Sequence, residues 1–97
     1  MGYYTKFKLK VIKGVKNIDY EEDISENTSG GFGEECKWYS FEEEMRAYSL
    51  NHPEVIFRID GEGEESGDLW RAWFKEGKML RVNAVIVFER YSEEKLT

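Results

Sequence analysis

The chain has only one cysteine, one histidine and one proline among its 97 residues. Cys36 has no partner within the chain for a disulfide, and the single His52 does not complete a Cys/His set for structural zinc. These absences exclude a small domain that is held together by disulfides or by a structural metal ion.

Long apolar runs are also missing. No run of apolar residues exceeds about five, far short of the roughly 20 that a membrane-spanning helix needs. Residues 1–10 lack the basic region followed by an apolar region that marks a signal peptide. We therefore expect a cytoplasmic protein with no membrane partner.

The composition is that of a folded chain, with 40% hydrophobic and 15% aromatic residues. It is too apolar and too aromatic for a disordered tail. The length predicts one domain over residues 1–97 and excludes an enzyme with a separate cofactor domain. We expect the fifteen aromatic side chains to supply much of the core.

Charge is unevenly distributed along the chain. The net charge of −6 disfavours attraction to nucleic-acid phosphates, so we expect no direct nucleic-acid binding. Residues 1–16 nevertheless contain five lysines and no acid, whereas the remaining 81 residues carry nine basic and twenty acidic side chains. Lys6, Lys8 and Lys10 alternate with apolar residues, which predicts a half-buried strand. We interpret these lysines as protection against edge pairing rather than as a nucleic-acid contact.

The middle of the chain is rich in glycine and asparagine. We predict that residues 14–39 are largely irregular, with a short amphipathic helix near residues 17–26 as an alternative. Ser40 and Glu43 form a capping box, which predicts the start of a helix. Pro53 predicts its end near Asn51.

A three-stranded meander is predicted after Pro53. Residues 55–59 and 69–75 alternate apolar and polar side chains, and an acidic turn at 60–68 separates them. The run 79–91 is apolar on both faces, which indicates a central strand, and residues 92–97 are a predicted flexible tail. The fold class is therefore α+β, with a four-stranded antiparallel sheet and one main helix packed on one face. We expect the first strand to pair with the last.

No catalytic arrangement is apparent in the sequence. His52 is predicted at a helix end, where it favours the helix dipole. Glu34 and Glu35 beside Cys36 oppose formation of a reactive thiolate. We predict no enzyme activity, no catalytic or metal-binding residue and no cofactor.

The acidic turn is the first candidate for binding. Asp60, Glu62 and Glu64 have the alternate spacing of a calcium loop, but Glu65 stands where that loop needs glycine. The acids also oppose a phosphate cradle. We interpret the turn as a soluble hairpin tip or as an acidic surface for a basic partner. Its candidate binding residues are Glu62, Glu64, Glu65 and Asp68.

Tryptophans are the second candidate, because a single predicted helix covers only one face of the sheet. The other face would be covered by residues 14–39, by a second copy of the chain, or by a ligand that stacks on Trp73 beside Arg58 or Arg71. Trp38, which precedes the helix, is a further candidate binding residue.

Three stretches resemble the YubB-type domains of small plasmid and phage proteins: Lys37-Trp38-Tyr39, residues 49–57 and residues 61–64. The resemblance covers about a third of the chain, which lacks the Trp-x-Pro-Pro run expected near the helix start. It implies a variant of the ferredoxin-like fold and an origin in a mobile element. It carries over no catalytic residue.

These observations predict a small non-enzymatic accessory protein that acts by protein binding or by self-association, with a homodimer as one form. One alternative is an anti-defence inhibitor whose acidic clusters mimic nucleic acid. A second alternative is a module that binds a small ligand or nucleotide through Trp73, Arg58 and Arg71.

Overall fold

The computed structural model describes residues 3–15, 17–85 and 93–95. It confirms an α+β fold with an antiparallel sheet. The elements are β1 (Thr5–Lys13), α1 (Tyr20–Asn27), β2 (Glu35–Cys36), α2 (Phe41–Leu50), β3 (Ile56–Gly63), β4 (Leu69–Lys75), β5 (Lys78–Asn83) and a short 3₁₀ turn (Glu93–Lys95).

The sheet has five strands in the order β2-β1-β3-β4-β5, so the prediction of four strands is wrong. The additional strand is β2, whose two residues pair with Thr5 and Lys6 of β1. Two residues are too short to produce a periodic pattern. The segment that contains β2 also forms α1, so the short helix named as an alternative for residues 17–26 is present.

The first strand lies beside β3 and not beside the last strand, which corrects the predicted pairing. Leu9 lies opposite Ile59, while Lys8 lies opposite Asp60. The apolar pair lies on one face and the oppositely charged pair on the other, and both pairs favour this register.

Within the described residues β5 is an edge strand, and its residues are mostly exposed. The prediction of a central strand is therefore wrong for Lys78–Asn83. Ala84 and Val85 are not in a strand, residues 86–91 of the predicted strand lie outside the described residues, and so do residues 92, 96 and 97 of the predicted tail.

Both helices begin and end where local signals place them. The Asp19 side chain accepts a hydrogen bond from the Glu22 amide at the start of α1. Ser40 is the N-cap of α2, as predicted, but its hydroxyl makes no capping hydrogen bond, so the predicted capping box with Glu43 is wrong. The helix ends at Leu50, three residues before Pro53, as the sequence predicts.

The core lies on one face of the sheet. Phe7 packs against Phe41 and Trp70, and Phe57 packs against Tyr20 of α1 and Tyr48 of α2. Both helices therefore cover the same face. The interpretation that residues 14–39 cover the second face is wrong, because the buried side of α1 contributes to this single core.

Candidate functional site

The second face of the sheet has no helix against it in the described part of the chain, and we call it the open face. Strand alternation and register define its side chains. They are Glu35 of β2; Lys6, Lys8, Lys10 and Lys13 of β1; Ile56, Arg58, Asp60 and Glu62 of β3; Leu69, Arg71, Trp73 and Lys75 of β4; and Lys78, Leu80 and Val82 of β5.

Three of the predicted binding residues meet on this face. Arg58 lies opposite Trp73, and Arg71 lies opposite Asp60 on the same pair of strands. The sequence placed all three side chains on the outward face of their strands, and the β3–β4 register makes them neighbours.

Asp60 holds the two arginines in place. Its Oδ2 lies 3.2 Å from Nη2 of Arg58, and its Oδ1 lies 2.9 Å from Nε of Arg71. Such partly exposed pairs contribute at most about 1 kcal/mol each to stability. Their main effect is to direct both guanidinium groups towards Asp60.

A groove of about 430 Å³ runs along this part of the open face. Leu69, Arg71, Trp73 and Val82 line it, together with Asp60. Towards β5 the surface becomes apolar, with Leu80 61% exposed and Val82 44% exposed. The open face thus has a charged part on β1, β3 and β4 and an apolar strip at the β5 edge.

Trp38, a predicted binding residue, lies elsewhere. It is 5% exposed and packs edge-on against Phe7 and Phe41 in the core. A Cβ atom on Gly30 would lie 1.9 Å from Cδ2 of Trp38, so the indole occupies the space that glycine leaves free. This placement makes Trp38 a packing residue on the helix-covered side.

The acidic residues of the predicted turn are divided between two roles. Glu62 belongs to β3 and faces outward opposite Lys6. Asp68 accepts a 2.5 Å hydrogen bond from the Tyr3 hydroxyl, and the Glu64 carboxylate accepts one of 2.8 Å from the Tyr4 amide. The hydrogen bond to Asp68 raises the pKa of Tyr3. The turn therefore anchors residues 3 and 4, and its acids do not converge on one point.

Among the described residues, the Glu65 carboxylate makes no hydrogen bond, but the Glu65 backbone amide makes one. That amide donates to the Tyr3 hydroxyl at 3.1 Å. Of the four acids, Glu62 faces outward, while Glu64 and Asp68 bind Tyr4 and Tyr3.

A polar cluster between α1 and α2 was not predicted. The Tyr48 hydroxyl donates to the Asp23 carboxylate, and the His52 ring stacks on Tyr48 with centroids 4.3 Å apart. Burial, followed by the bond to Asp23, raises the pKa of Tyr48 well above 10. The Tyr48 hydroxyl therefore keeps its proton to higher pH than a free tyrosine does, and the cluster fastens α1 to α2.

The only local signal for this cluster is the four-residue spacing of Tyr48 and His52, which places both on one side of a helix. Asp23 comes from another element, so its arrival there depends on the packing of α1.

Within residues 3–15, 17–85 and 93–95, no three histidine, cysteine or acidic side chains come together as a metal site. No helix in these ranges is long and apolar enough to cross a membrane.

No protein-family model, curated protein or solved structure matches this chain. The resemblance to YubB-type domains therefore stays a prediction.

Proposed function

We propose that this is a small non-enzymatic accessory protein that acts by protein binding, with a second copy of itself as the partner at the β5 edge. The origin in a phage or plasmid, which the resemblance implies, is part of the same proposal. The observation that carries it is the exposed apolar strip beside an edge strand.

The backbone of β5 supports this choice of surface. β4 pairs with one side of β5, and no described strand pairs with the other side. An edge strand presents a row of amide and carbonyl groups that another strand can bind. β1 is shielded by its alternating lysines, whereas β5 presents Leu80 and Val82.

Symmetry favours a second copy. A two-fold axis normal to the sheet would pair β5 antiparallel with its counterpart and keep both open faces on the same side. Leu80 and Val82 of the two copies would then form one apolar seam. Cross-strand pairs of this kind stabilise a sheet by roughly 0.2–1 kcal/mol each.

Sedimentation equilibrium tests the proposal. We expect a mass twice that of the 11.5 kDa chain at about 100 µM protein. The double variant Leu80→Lys, Val82→Lys should sediment as a monomer with an unchanged circular dichroism spectrum. Ile18→Lys is the control, because Ile18 is 45% exposed in the connection between β1 and α1. A monomeric wild-type protein, or a dimer that survives the double substitution, would contradict the proposal.

The groove beside Trp73 favours a second candidate, a module that binds a small ligand or nucleotide. Its volume of about 430 Å³ lies within the usual range for ligand sites. A ligand should raise the thermal midpoint of the wild-type protein and not that of Trp73→Leu. An unchanged midpoint across nucleotides would count against this candidate.

A further inference from the structure

The open face carries a charge opposite to that of the whole protein. It presents eight basic and three acidic side chains, whereas the full chain has a net charge of −6. The basic ones are Lys6, Lys8, Lys10, Lys13, Arg58, Arg71, Lys75 and Lys78, and the acidic ones are Glu35, Asp60 and Glu62.

The compensating negative charge lies on the helix side. The two helices and the Asp19 cap carry eight acids and one base, Arg46. Since charges farther apart than roughly 8–10 Å are screened at physiological salt, a ligand on the open face would experience mainly the local positive field. The net charge therefore does not describe this surface.

The cations on β1 form a regular track. Lys6, Lys8 and Lys10 are spaced two residues apart on one side of the strand, so successive lysines are about 7 Å apart. Arg58 lies beside Lys10 on the next strand, and Trp73 lies beside Arg58. Trp73 is thus about 10 Å from the lysine track.

Trp73 differs from the other two tryptophans. Trp38 and Trp70 are buried in the core, whereas Trp73 is partly exposed on the open face. Arg58 lies opposite it on β3 and Arg71 lies two residues before it on β4, and both guanidinium groups bind Asp60. A partly exposed aromatic ring on an open antiparallel sheet, with lysines and arginines on the neighbouring strands, suits a stacked base with its phosphates alongside.

We propose that the open face binds single-stranded nucleic acid, with phosphates along Lys6, Lys8 and Lys10 and a base stacked on Trp73. A duplex does not offer an unstacked base to this sheet. An acidic protein would satisfy the lysines but would make no use of the indole plane. The binding residues lie on β1, β3 and β4, so this site does not depend on a second copy at β5.

The test is fluorescence anisotropy with labelled DNA and RNA oligonucleotides of mixed sequence, single-stranded and as the matching duplexes. At low salt we expect both single strands to bind, duplexes to bind more weakly and intrinsic tryptophan emission to be quenched. Trp73→Leu should weaken binding about 5- to 100-fold, because one base loses its stacking partner. Comparison of the DNA and RNA oligonucleotides shows whether the protein prefers deoxyribose or ribose, and either preference is compatible with the proposal.

Salt dependence tests the lysine track separately. Lys8→Gln should reduce the slope of log K against log salt by about 0.7, because one phosphate contact is lost from a single strand. Arg46→Gln removes a positive charge from the helix side and should leave that slope unchanged. Circular dichroism should show that all three variants are folded.

Four results would overturn the proposal. They are no binding of either single strand at low salt, equal affinity for duplexes, binding that Trp73→Leu does not change, and competition by polyglutamate as effective as that by unlabelled oligonucleotide. The last result would identify an acidic protein as the occupant.

Discussion

The two faces of the sheet are built from the same strands but differ in almost every property. On the helix-covered face, Phe57, Ile59, Ala72 and Phe74 are completely buried. On the open face, the intervening Arg58 carries a charge and the intervening Trp73 is partly exposed. Alternate positions along a single strand thus belong either to the core or to the surface.

Energetics explain this separation. Complete burial of a large apolar side chain stabilises a fold by about 1.5–3 kcal/mol. The ion pairs of the open face contribute at most about 1 kcal/mol each. The open face can therefore be altered with little loss of stability, and the following predictions sharpen or break that contrast.

The largest effect should separate two neighbours on β4. Phe74→Ala should lower the free energy of unfolding by about 3–5 kcal/mol, because Phe74 is fully buried against Phe41. Trp73→Ala, on the open face, should cost about 1 kcal/mol. Urea unfolding followed by circular dichroism measures both values. Equal losses of stability would show that Trp73 is packed as tightly as Phe74, which would contradict the contrast between the two faces.

The next effect concerns the close packing of Trp70 against Gly61 on the helix-covered face. A Cβ atom on Gly61 would lie 2.0 Å from Cε2 of Trp70, so Gly61→Ala should destabilise the protein by about 1–3 kcal/mol. Gly31→Ala is the matched control, since its Cβ would lie 3.8 Å from the nearest atom, Oγ of Ser25. Its effect should be within about 0.5 kcal/mol. The opposite ranking in thermal unfolding would refute this account of packing at Gly61.

A smaller effect should follow from Tyr48→Phe, which removes the hydrogen bond to Asp23 and leaves the ring in place. We expect a loss of about 1 kcal/mol in urea unfolding. Tyr4→Phe is the control, because no described residue hydrogen-bonds to the Tyr4 hydroxyl. If both variants lost the same stability, the Asp23 contact would not fasten α1 to α2.

The smallest effect is a dependence on pH. In the unfolded chain the Tyr48 hydroxyl ionises at the ordinary tyrosine pKa of about 10. In the folded protein its pKa is raised, so the hydroxyl keeps its proton at that pH. The stability gained from this hydroxyl should be constant below about pH 9 and should decline above pH 10. The difference in thermal midpoint between wild type and Tyr48→Phe measures it. Tyr3 also has a raised pKa but is common to both proteins. A difference that did not decline above pH 10 would contradict the assignment.

Local patterns predicted β1, α2, β3 and β4. Alternation placed Phe57 and Phe74 inward and Trp73 outward, and Pro53 marked the end of α2. These signals lie within a few residues of the feature that they determine, so no knowledge of the remaining fold is needed.

The features that the sequence did not predict depend on contacts between residues far apart in the chain. The pairing of Leu9 with Ile59 joins residues 50 apart, and no local pattern indicates which strand will be the neighbour. Trp38 entered the core because Gly30 and Phe7 leave room for its ring. The contact of Asp23 with Tyr48 likewise required two helices to meet.

The early position of β1 in the chain also has a consequence for synthesis. Its main neighbour, β3, follows about 50 residues later, a delay of roughly 3 to 10 s at ordinary rates of translation. During that time β1 is a strand without its partner, a condition that promotes aggregation of nascent chains. Lys6, Lys8 and Lys10 discourage such association. The same three charges thus protect the emerging chain at the ribosome before they reach their final position in the sheet.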